Sequence, residues 1–349
     1  MSRIPFVSAL IFALVLMGCT KKSDAPTDSK VLNVATWTNY ISPEVREQFT
    51  KATGIQLNVS YYASNEELLA KVQAGAGGID IAFPSDYMVN IMTQLKLLKE
   101  LDMSKIPNKA SVNPDFLAQE FDHENKFSLP YSWSTTGIAI HRELFKGEIK
   151  GWKDIFENKD LAGKVSLLDD VREVTAAALK YNGFGVNSVD PEQLKKAAAS
   201  LKDLRPRVKM FRSDMKDALL NKEVAVAQIY STDGLQAERD SKGKIEYILP
   251  SEGGTRALDN MVILSSAQNI EAAHALINFL LTTDANVPFV KVIMGGPVLK
   301  ETASKLPPEL KNSKTLFPSS DVLKKFEGLK DLGEHTAAYD RLWTELKSQ

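Results

Sequence analysis

The chain has 349 residues, of which 44% are hydrophobic and 25% are charged, as is usual for globular proteins. At roughly 150 residues per domain, this length predicts about two domains. Lys and Arg number 43 against 44 Asp and Glu, so the net charge of -1 leaves no basic excess for binding a nucleic acid. The single cysteine, Cys19, excludes a disulfide framework and a multi-thiolate metal site, and the four histidines are too scattered to predict a metal cluster.

The N-terminal residues have the pattern of an export signal. A short basic start precedes an almost unbroken apolar run over residues 4–17. This run of about 14 residues is shorter than the roughly 20 of a membrane-spanning helix and fits the core of a signal peptide. Leu-Met-Gly-Cys at 16–19 is typical of a bacterial lipoprotein signal, with cleavage before Cys19 and lipid attachment to its thiol. We predict a signal peptide over 1–18, a flexible polar tether over 19–30, and a lipid-anchored body in the periplasm or on the outer face of the cell envelope. The alternative is a plain secretory peptide.

Strands and helices alternate after the tether. Extended apolar segments predict strands over 31–37, 56–62 and 79–83. Between them, Ser42 and Pro43 supply an N-cap with proline at the first helical position, and Ser64 and Glu67 form a capping box. This strand-helix order predicts a mainly parallel sheet with helices on both faces.

The second half of the chain repeats the alternation. Strands are predicted over 164–168, 224–229 and 261–264, and helices over 171–181, 191–201, 271–281 and 331–346. Two α/β lobes fit this pattern better than one large sheet.

Polar and aromatic residues follow the ends of the predicted strands, where open parallel sheets bind ligands. These residues are Trp37, Thr38 and Tyr40, then Ser85, Asp86 and Tyr87, and in the second half Asp170, Glu173 and Tyr230; Asp259 instead lies just before the strand predicted from 261. Carboxylates accept hydrogen bonds from an ammonium group, and aromatic faces attract the same cation and cover an aliphatic chain. The mixture predicts a site for a small organic cation with methylene segments.

Each of these residues also has a plainer interpretation. Trp37 could belong to the core, Asp170 could cap the following helix, and Glu173 could be solvated. Asp170 and Glu173 could instead be the acid and base of a hydrolase, but three residues apart on one helix they would crowd together rather than flank a bond. No G-x-S-x-G, H-E-x-x-H, P-loop or dinucleotide motif is present. We therefore expect neither catalysis nor a cofactor or metal.

Several segments occur in a characteristic order along residues 31–349. They are 37–40, 62–66, 84–87, 130–131, 136–138, 169–174, 251–254 and 277–281, with Asp259. Together they resemble the polyamine (spermidine/putrescine) substrate-binding proteins of ABC importers. The resemblance implies an α/β, two-lobed periplasmic-binding-protein (Venus-flytrap) fold, each lobe a mainly parallel sheet flanked by helices. The implied lobes are 31–136 plus 260–300 and 137–259 plus 301–349, with crossings near Gly137 and Asp259.

The resemblance also implies roles for individual residues. Trp37, Tyr40 and Tyr230 match aromatic walls, Thr38, Ser85, Tyr87 and Ser213 match polar contacts, and Asp170, Glu173 and Asp259 match carboxylates that hold amines. Ala257 and Leu329 depart from the pattern, where an aromatic and a polar residue are common, and Asp86 adds a carboxylate beside Tyr87. The implied partners are a polyamine ligand and the membrane permease of an ABC importer, and the implied state is a monomer. A ligand that is another organic cation or small solute, and a sensing role, are alternatives that the sequence leaves open.

Overall fold

The computed structural model describes residues 31–38, 40–75 and 78–348, so the predicted signal peptide, the tether and Cys19 lie outside the described residues. The first section contains β1 Val31–Thr36, α1 Pro43–Thr53, β2 Gln56–Tyr61, α2 Asn65–Gln73, β3 Ile81–Ala82, α3 Asp86–Gln94 and β4 Leu98–Lys99. The middle contains β5 Ser128–His141, α4 Trp152–Glu157, β6 Val165–Leu167, α5 Val171–Tyr181, α6 Pro191–Leu204, β7 Val208–Phe211, α7 Met215–Leu220, β8 Val226–Tyr230, α8 Ser231–Asp240 and β9 Ile245–Ile248. The last section contains β10 Gly254–Leu264, α9 Ile270–Leu280, α10 Thr283–Ile293, β11 Gly296–Pro297, α11 Thr302–Lys305, α12 Pro308–Lys311, α13 Ser320–Leu323, β12 Phe326–Gly328 and α14 Thr336–Lys347.

The predicted starts of the first two helices are confirmed by their caps. The hydroxyl of Ser42 accepts a hydrogen bond from the Val45 amide at 3.2 Å, and the hydroxyl of Ser64 accepts one from the Glu67 amide at 3.1 Å. Each bond satisfies an amide that has no partner inside its own helix, so the chain turns into a helix directly after β1 and β2.

The strands form a mixed sheet in the order β2-β1-β3-β10-β5-β8-β6-β7. The outer pairs are parallel, as predicted, with β1 between β2 and β3 at one end and β6 between β7 and β8 at the other. The central pairs β3–β10, β10–β5 and β5–β8 are antiparallel. The expectation of mainly parallel sheets therefore holds for the outer strands of each end, and the antiparallel pairs lie at the centre, where β5 and β10 run.

The central strand β5 joins the two ends of this sheet. Its 14 residues are all buried, and the first part pairs with β10 while the part from Thr136 onward pairs with β8 and β9. The partner β10 begins at Gly254, so Asp259 lies inside this strand. The sequence had predicted a strand that begins only after Asp259. The pairing of β10 with β5 shifts register between Asp259 and Asn260.

Gly137 lies on β5 just after the change of partner. A Cβ atom at this position would lie 2.5 Å from the Ile248 carbonyl oxygen and 2.5 Å from the Tyr247 hydroxyl oxygen. Both distances are too short for a side-chain carbon. Only glycine therefore lets Tyr247 and Ile248 of β9 approach β5 this closely.

Residues 301–349 do not pack as one unit. The Thr302 hydroxyl on α11 donates to the side-chain oxygen of Asn286 on α10 at 2.7 Å, whereas the Tyr339 hydroxyl on α14 donates to the Ser188 carbonyl at 2.8 Å. The segment assigned from sequence to the second lobe thus contacts elements of both predicted lobes. The division into lobes stays a prediction, with α11 packed against the first.

Among the described residues no single helix has the length and apolarity to cross a membrane, and α9 with α10 meets both criteria only as a pair bent by 72°.

Candidate functional site

A cavity of about 210 Å³ lies where strand ends and helix starts from both halves of the sheet converge. It brings together every residue predicted to bind ligand: Trp37, Thr38, Tyr40, Ser85, Asp86, Tyr87, Asp170, Glu173, Ser213, Tyr230 and Asp259. A larger cavity of about 620 Å³, bordered by α8, α10 and α12, contains none of them. The predicted side chains therefore share one space, and their role in binding stays a prediction.

Asp259 is held in the cavity wall by two hydroxyl groups. Its carboxylate accepts hydrogen bonds from Tyr40 and from the Ser85 hydroxyl, the latter at 2.7 Å. Ser85 is fixed in turn by Asn65, whose side-chain oxygen accepts from the Ser85 amide at 3.1 Å. Burial raises the pKa of Asp259 to about 6, and the two hydroxyl donors limit that rise.

Asp170 and Glu173 form a second acidic group at the start of α5. One oxygen of Asp170 accepts from the Arg172 and Glu173 amides at 2.9 and 3.1 Å, and the other accepts from the Tyr230 hydroxyl at 3.1 Å. Asp170 is therefore both a helix cap and a cavity residue, so the two interpretations left open by the sequence hold together. Its second oxygen remains directed at the site.

Glu173 is buried, so its interpretation as a solvated carboxylate is wrong. The Thr255 hydroxyl donates to Oε2 at 2.6 Å, which ties α5 to β10. Burial, followed by the charge of Asp170, raises the pKa of Glu173 well above its usual range. Two neighbouring carboxyl groups without a cation between them disfavour the second charge.

Asp86 is the first residue of α3 and is 9% exposed. Its Oδ1 accepts from the Tyr87 amide at 2.9 Å. Burial, with a smaller effect from the charge of Asp259, raises the pKa of Asp86 to about 7, and the amides of Tyr87 and Leu258 limit that rise. In the absence of a cation, the Asp86 carboxyl group therefore titrates near neutral pH.

The aromatic residues of the cavity are fixed by hydrogen bonds from their polar ends. The Trp37 indole donates to the Phe83 carbonyl at 2.9 Å, and the Tyr87 hydroxyl donates to Glu66 at 2.9 Å. Trp37 is half-buried, which favours a ligand wall over a core residue. With Tyr40 and Tyr230 bonded to Asp259 and Asp170, each ring is held in place while its carbon surface borders the cavity.

The guanidinium of Arg172 lies behind this wall. It is 5.7 Å from the centre of the Tyr87 ring and 5.4 Å from that of Tyr339, and it donates to the Lys330 carbonyl at 2.9 Å and to the Asn187 side chain at 3.1 Å. Arg172 therefore fastens α3 to α5 and α14 without entering the cavity.

Several residues that line the cavity were not predicted from the sequence. These are Ala63, Ser64, Asn65, Ser134, Asp214, Thr232 and Asp233. Thr232 and Asp233 follow β8 directly after Tyr230, so the same rule about strand ends could have found them. Ser134 carried no signal, since its strand β5 was not predicted.

The lining is strongly acidic. Six carboxyl groups border the cavity, from Asp86, Asp170, Glu173, Asp214, Asp233 and Asp259, and no Lys, Arg or His belongs to the lining among the residues described. Asp214 is already paired with Arg212, whereas burial raises the pKa of Asp233 to about 6. Nowhere in the described ranges do three or more His, Cys, Asp or Glu side chains group as a metal site would require. The arrangement is suited to an organic cation with more than one charge.

Several known proteins are similar to this chain in sequence and in fold. A family profile described as bacterial extracellular solute-binding protein matches residues 44–318. The spermidine/putrescine-binding periplasmic protein 1 of Haemophilus influenzae is 34% identical, over 98% of this chain and 98% of its own. The crystal structure of the spermidine/putrescine ABC transporter substrate-binding protein PotD from Streptococcus pneumoniae is 32% identical, with a TM-score of 0.81, over 92% of this chain and 99% of that one. The TpPotD lipoprotein of Treponema pallidum is 28% identical, with a TM-score of 0.82, over 92% and 100%. This chain belongs to the bacterial extracellular solute-binding proteins.

Proposed function

We propose that this protein captures a polyamine, such as putrescine or spermidine, outside the cytoplasm and delivers it to the permease of an ABC importer. The observation that carries the proposal is a cavity bordered by six carboxyl groups and four aromatic side chains with no basic residue in the described lining. The names of the Haemophilus and Streptococcus relatives support the same ligand class.

Binding follows from pairing each ammonium group with carboxylates. An ammonium presents three donors, and Asp259 and the Asp170–Glu173 group offer acceptor oxygens that are already oriented by hydroxyl or amide donors. Trp37 and Tyr230 cover the methylene segments. Burial raises the pKa values of Asp259 and Glu173, and a bound cation favours their ionised forms, so binding and ionisation are coupled.

Closure of two lobes around the ligand completes the proposed mechanism. The first lobe comprises the strands from β1 to β4 with their helices, and the second the elements around β6, β7 and β8. The lobes connect through β5 and β10, whose pairing changes at Thr136 and shifts register at Asp259. A ligand that contacts both lobes favours the closed form by its differential affinity. Glu173 and Asp170 bind in this scheme and catalyse nothing.

Attachment to a membrane through Cys19 is part of the proposal. The single cysteine at the end of the apolar leader and the lipoprotein name of the Treponema relative support it. Expression of the full chain with Cys19→Ser tests this: we expect the variant in the soluble envelope fraction and the unchanged protein in the membrane fraction. An identical distribution of both would contradict the anchor.

Calorimetry with putrescine and spermidine tests the ligand class. We expect at least one of them to bind the unchanged protein at micromolar concentration, and Asp259→Asn to weaken that binding by at least about thirtyfold. Because Ala257 and Leu329 leave an end of the cavity less polar, another organic cation is the second candidate. A thermal-shift panel that includes amino acids, betaines and guanidino compounds would identify it. Absence of binding to either polyamine would refute the proposal.

A further inference from the structure

Asp86 borders the cavity close to two apolar residues of the lining, Ala257 and Leu329. Gly328, which precedes Leu329, lies against the Asp86 carboxylate, and the amide of Leu258, which follows Ala257, is a hydrogen-bond donor to it. Ala257 and Leu329 carry no polar side-chain atom, so Asp86 supplies the charge beside them.

The end of β12 lies close to the Asp86 carboxylate. Asp86 Oδ2 lies 3.3 Å from the position that a Cβ atom of Gly328 would occupy. A larger residue at 328 would press on this oxygen, and glycine avoids that contact.

Partners of Asp86 within the described residues are backbone amides only. The Tyr87 amide donates at 2.9 Å, and the Leu258 amide acts from the other side. Arg256 lowers the pKa of Asp86 but forms no salt bridge with it among the described residues, and its side chain is absent from the cavity lining. By contrast, Asp259 accepts from two hydroxyl groups and Asp214 is paired with Arg212. A buried carboxylate has about four acceptor positions, so one that receives two amide donors and pairs with no cation retains capacity for an ammonium group.

Besides Asp214, which is paired with Arg212, and Asp233 on α8, three separate elements deliver carboxylates to the cavity: α3 with Asp86, β10 with Asp259 and the start of α5 with Asp170 and Glu173. A diamine has one ammonium too few for three such positions. We propose that Asp86 is a specificity-determining residue that forms a third ammonium subsite, in the space left by Ala257, and that the cavity therefore favours a triamine over a diamine. This inference rests on the proposed function.

Calorimetry on Asp86→Asn with spermidine and with putrescine tests the inference. Asparagine keeps the volume of the side chain and an oxygen for the Tyr87 amide, and it removes the charge. We expect spermidine affinity to fall at least tenfold and putrescine affinity to change less than threefold. Asp214→Asn is the matched control, because it removes one charge from the same lining at a carboxylate that is already paired; we expect it to affect both amines to the same small extent.

An equal loss for both amines in Asp86→Asn would overturn the inference, because it would make Asp86 a general source of negative potential. No loss, or a loss confined to putrescine, would overturn it as well. If Asp86→Asn does not fold, Asp86→Ser gives the same comparison with a small acceptor at the start of α3. Absence of binding of both amines to the unchanged protein would refute the proposed function itself and is distinguishable from all of these results.

Discussion

The affinity of this protein for a polyamine should increase with pH between 6 and 8. The pKa of Asp86 is about 7 and that of Asp259 is about 6 in the empty cavity, so part of each population is protonated in this window. A bound ammonium favours the ionised form, while the amines themselves stay charged, since their pKa values lie near that of lysine, about 10. Protons and ligand therefore compete for the same carboxylates.

The magnitude follows from the two titrations. If binding requires ionised Asp86, affinity at pH 6 is about tenfold weaker than at pH 8, and Asp259 adds about a further twofold. Glu173, whose pKa is also raised by burial, increases the pH dependence in the same direction. At pH 7 about half a proton per ligand leaves Asp86. Calorimetry of spermidine binding at pH 6, 7 and 8, in two buffers with different ionisation enthalpies, measures both quantities.

The control for this experiment is Asp214→Asn, because Arg212 holds the pKa of Asp214 below its usual range and Asp214 stays ionised throughout. We expect this variant to retain the full pH dependence, and Asp86→Asn to lose the roughly tenfold part that Asp86 contributes while keeping the part from Asp259 and Glu173. Equal affinities at pH 6 and pH 8, with heats independent of the buffer, would refute the reasoning.

Three further predictions concern single residues. Because burial raises the pKa of Glu173, the stability contributed by its protonated form is present below its usual pKa of 4.5 and is lost as pH rises; Glu173→Gln should therefore raise the free energy of unfolding of the empty protein by about 1–3 kcal/mol at pH 8 and barely change it at pH 4.5, measured in urea. Asp259→Asn should weaken polyamine binding by about 2–4 kcal/mol, since a charged hydrogen-bond acceptor at the centre of the site is lost, and a change below twofold in calorimetry would contradict the central role of this carboxylate. Gly137→Ala should lower the free energy of unfolding by about 1–3 kcal/mol, because its Cβ would lie 2.5 Å from oxygen atoms of Ile248 and Tyr247; an unchanged urea midpoint would show that β9 can move away at no cost.

Local signals were sufficient to predict much of the site. Trp37, Asp86 and Tyr230 each lie at or shortly after the end of a strand whose apolar pattern or bounding proline is visible in the sequence, and the carboxyl ends of such strands meet at one edge. Glu173 followed from the same rule, although its burial did not. Glu173 is buried because the Thr255 hydroxyl from distant β10 donates to it and the cavity lining encloses it. These are tertiary contacts, which no local sequence pattern predicts.

The centre of the sheet was not predictable in the same way. The strand β5 is buried along its whole length, so it shows no alternation of apolar and polar residues, and Pro130 and several Ser and Thr residues argue against a central strand. The antiparallel core of the sheet depends on this strand and on the full length of β10. Asp233 was missed for a different reason, since it belongs to a helix whose start was not recognised.

The double engagement of Asp170 has a consequence for redesign of the pocket. One oxygen begins α5 and the other faces the guest, so any substitution there trades recognition against the integrity of the second half of the fold. Ala257 and Leu329 have no such structural role, because their side chains neither cap a helix nor accept a hydrogen bond. Substitutions at these two positions can alter which ligand is preferred while leaving the fold intact. They are therefore the positions where a change of ligand selectivity should cost the least stability.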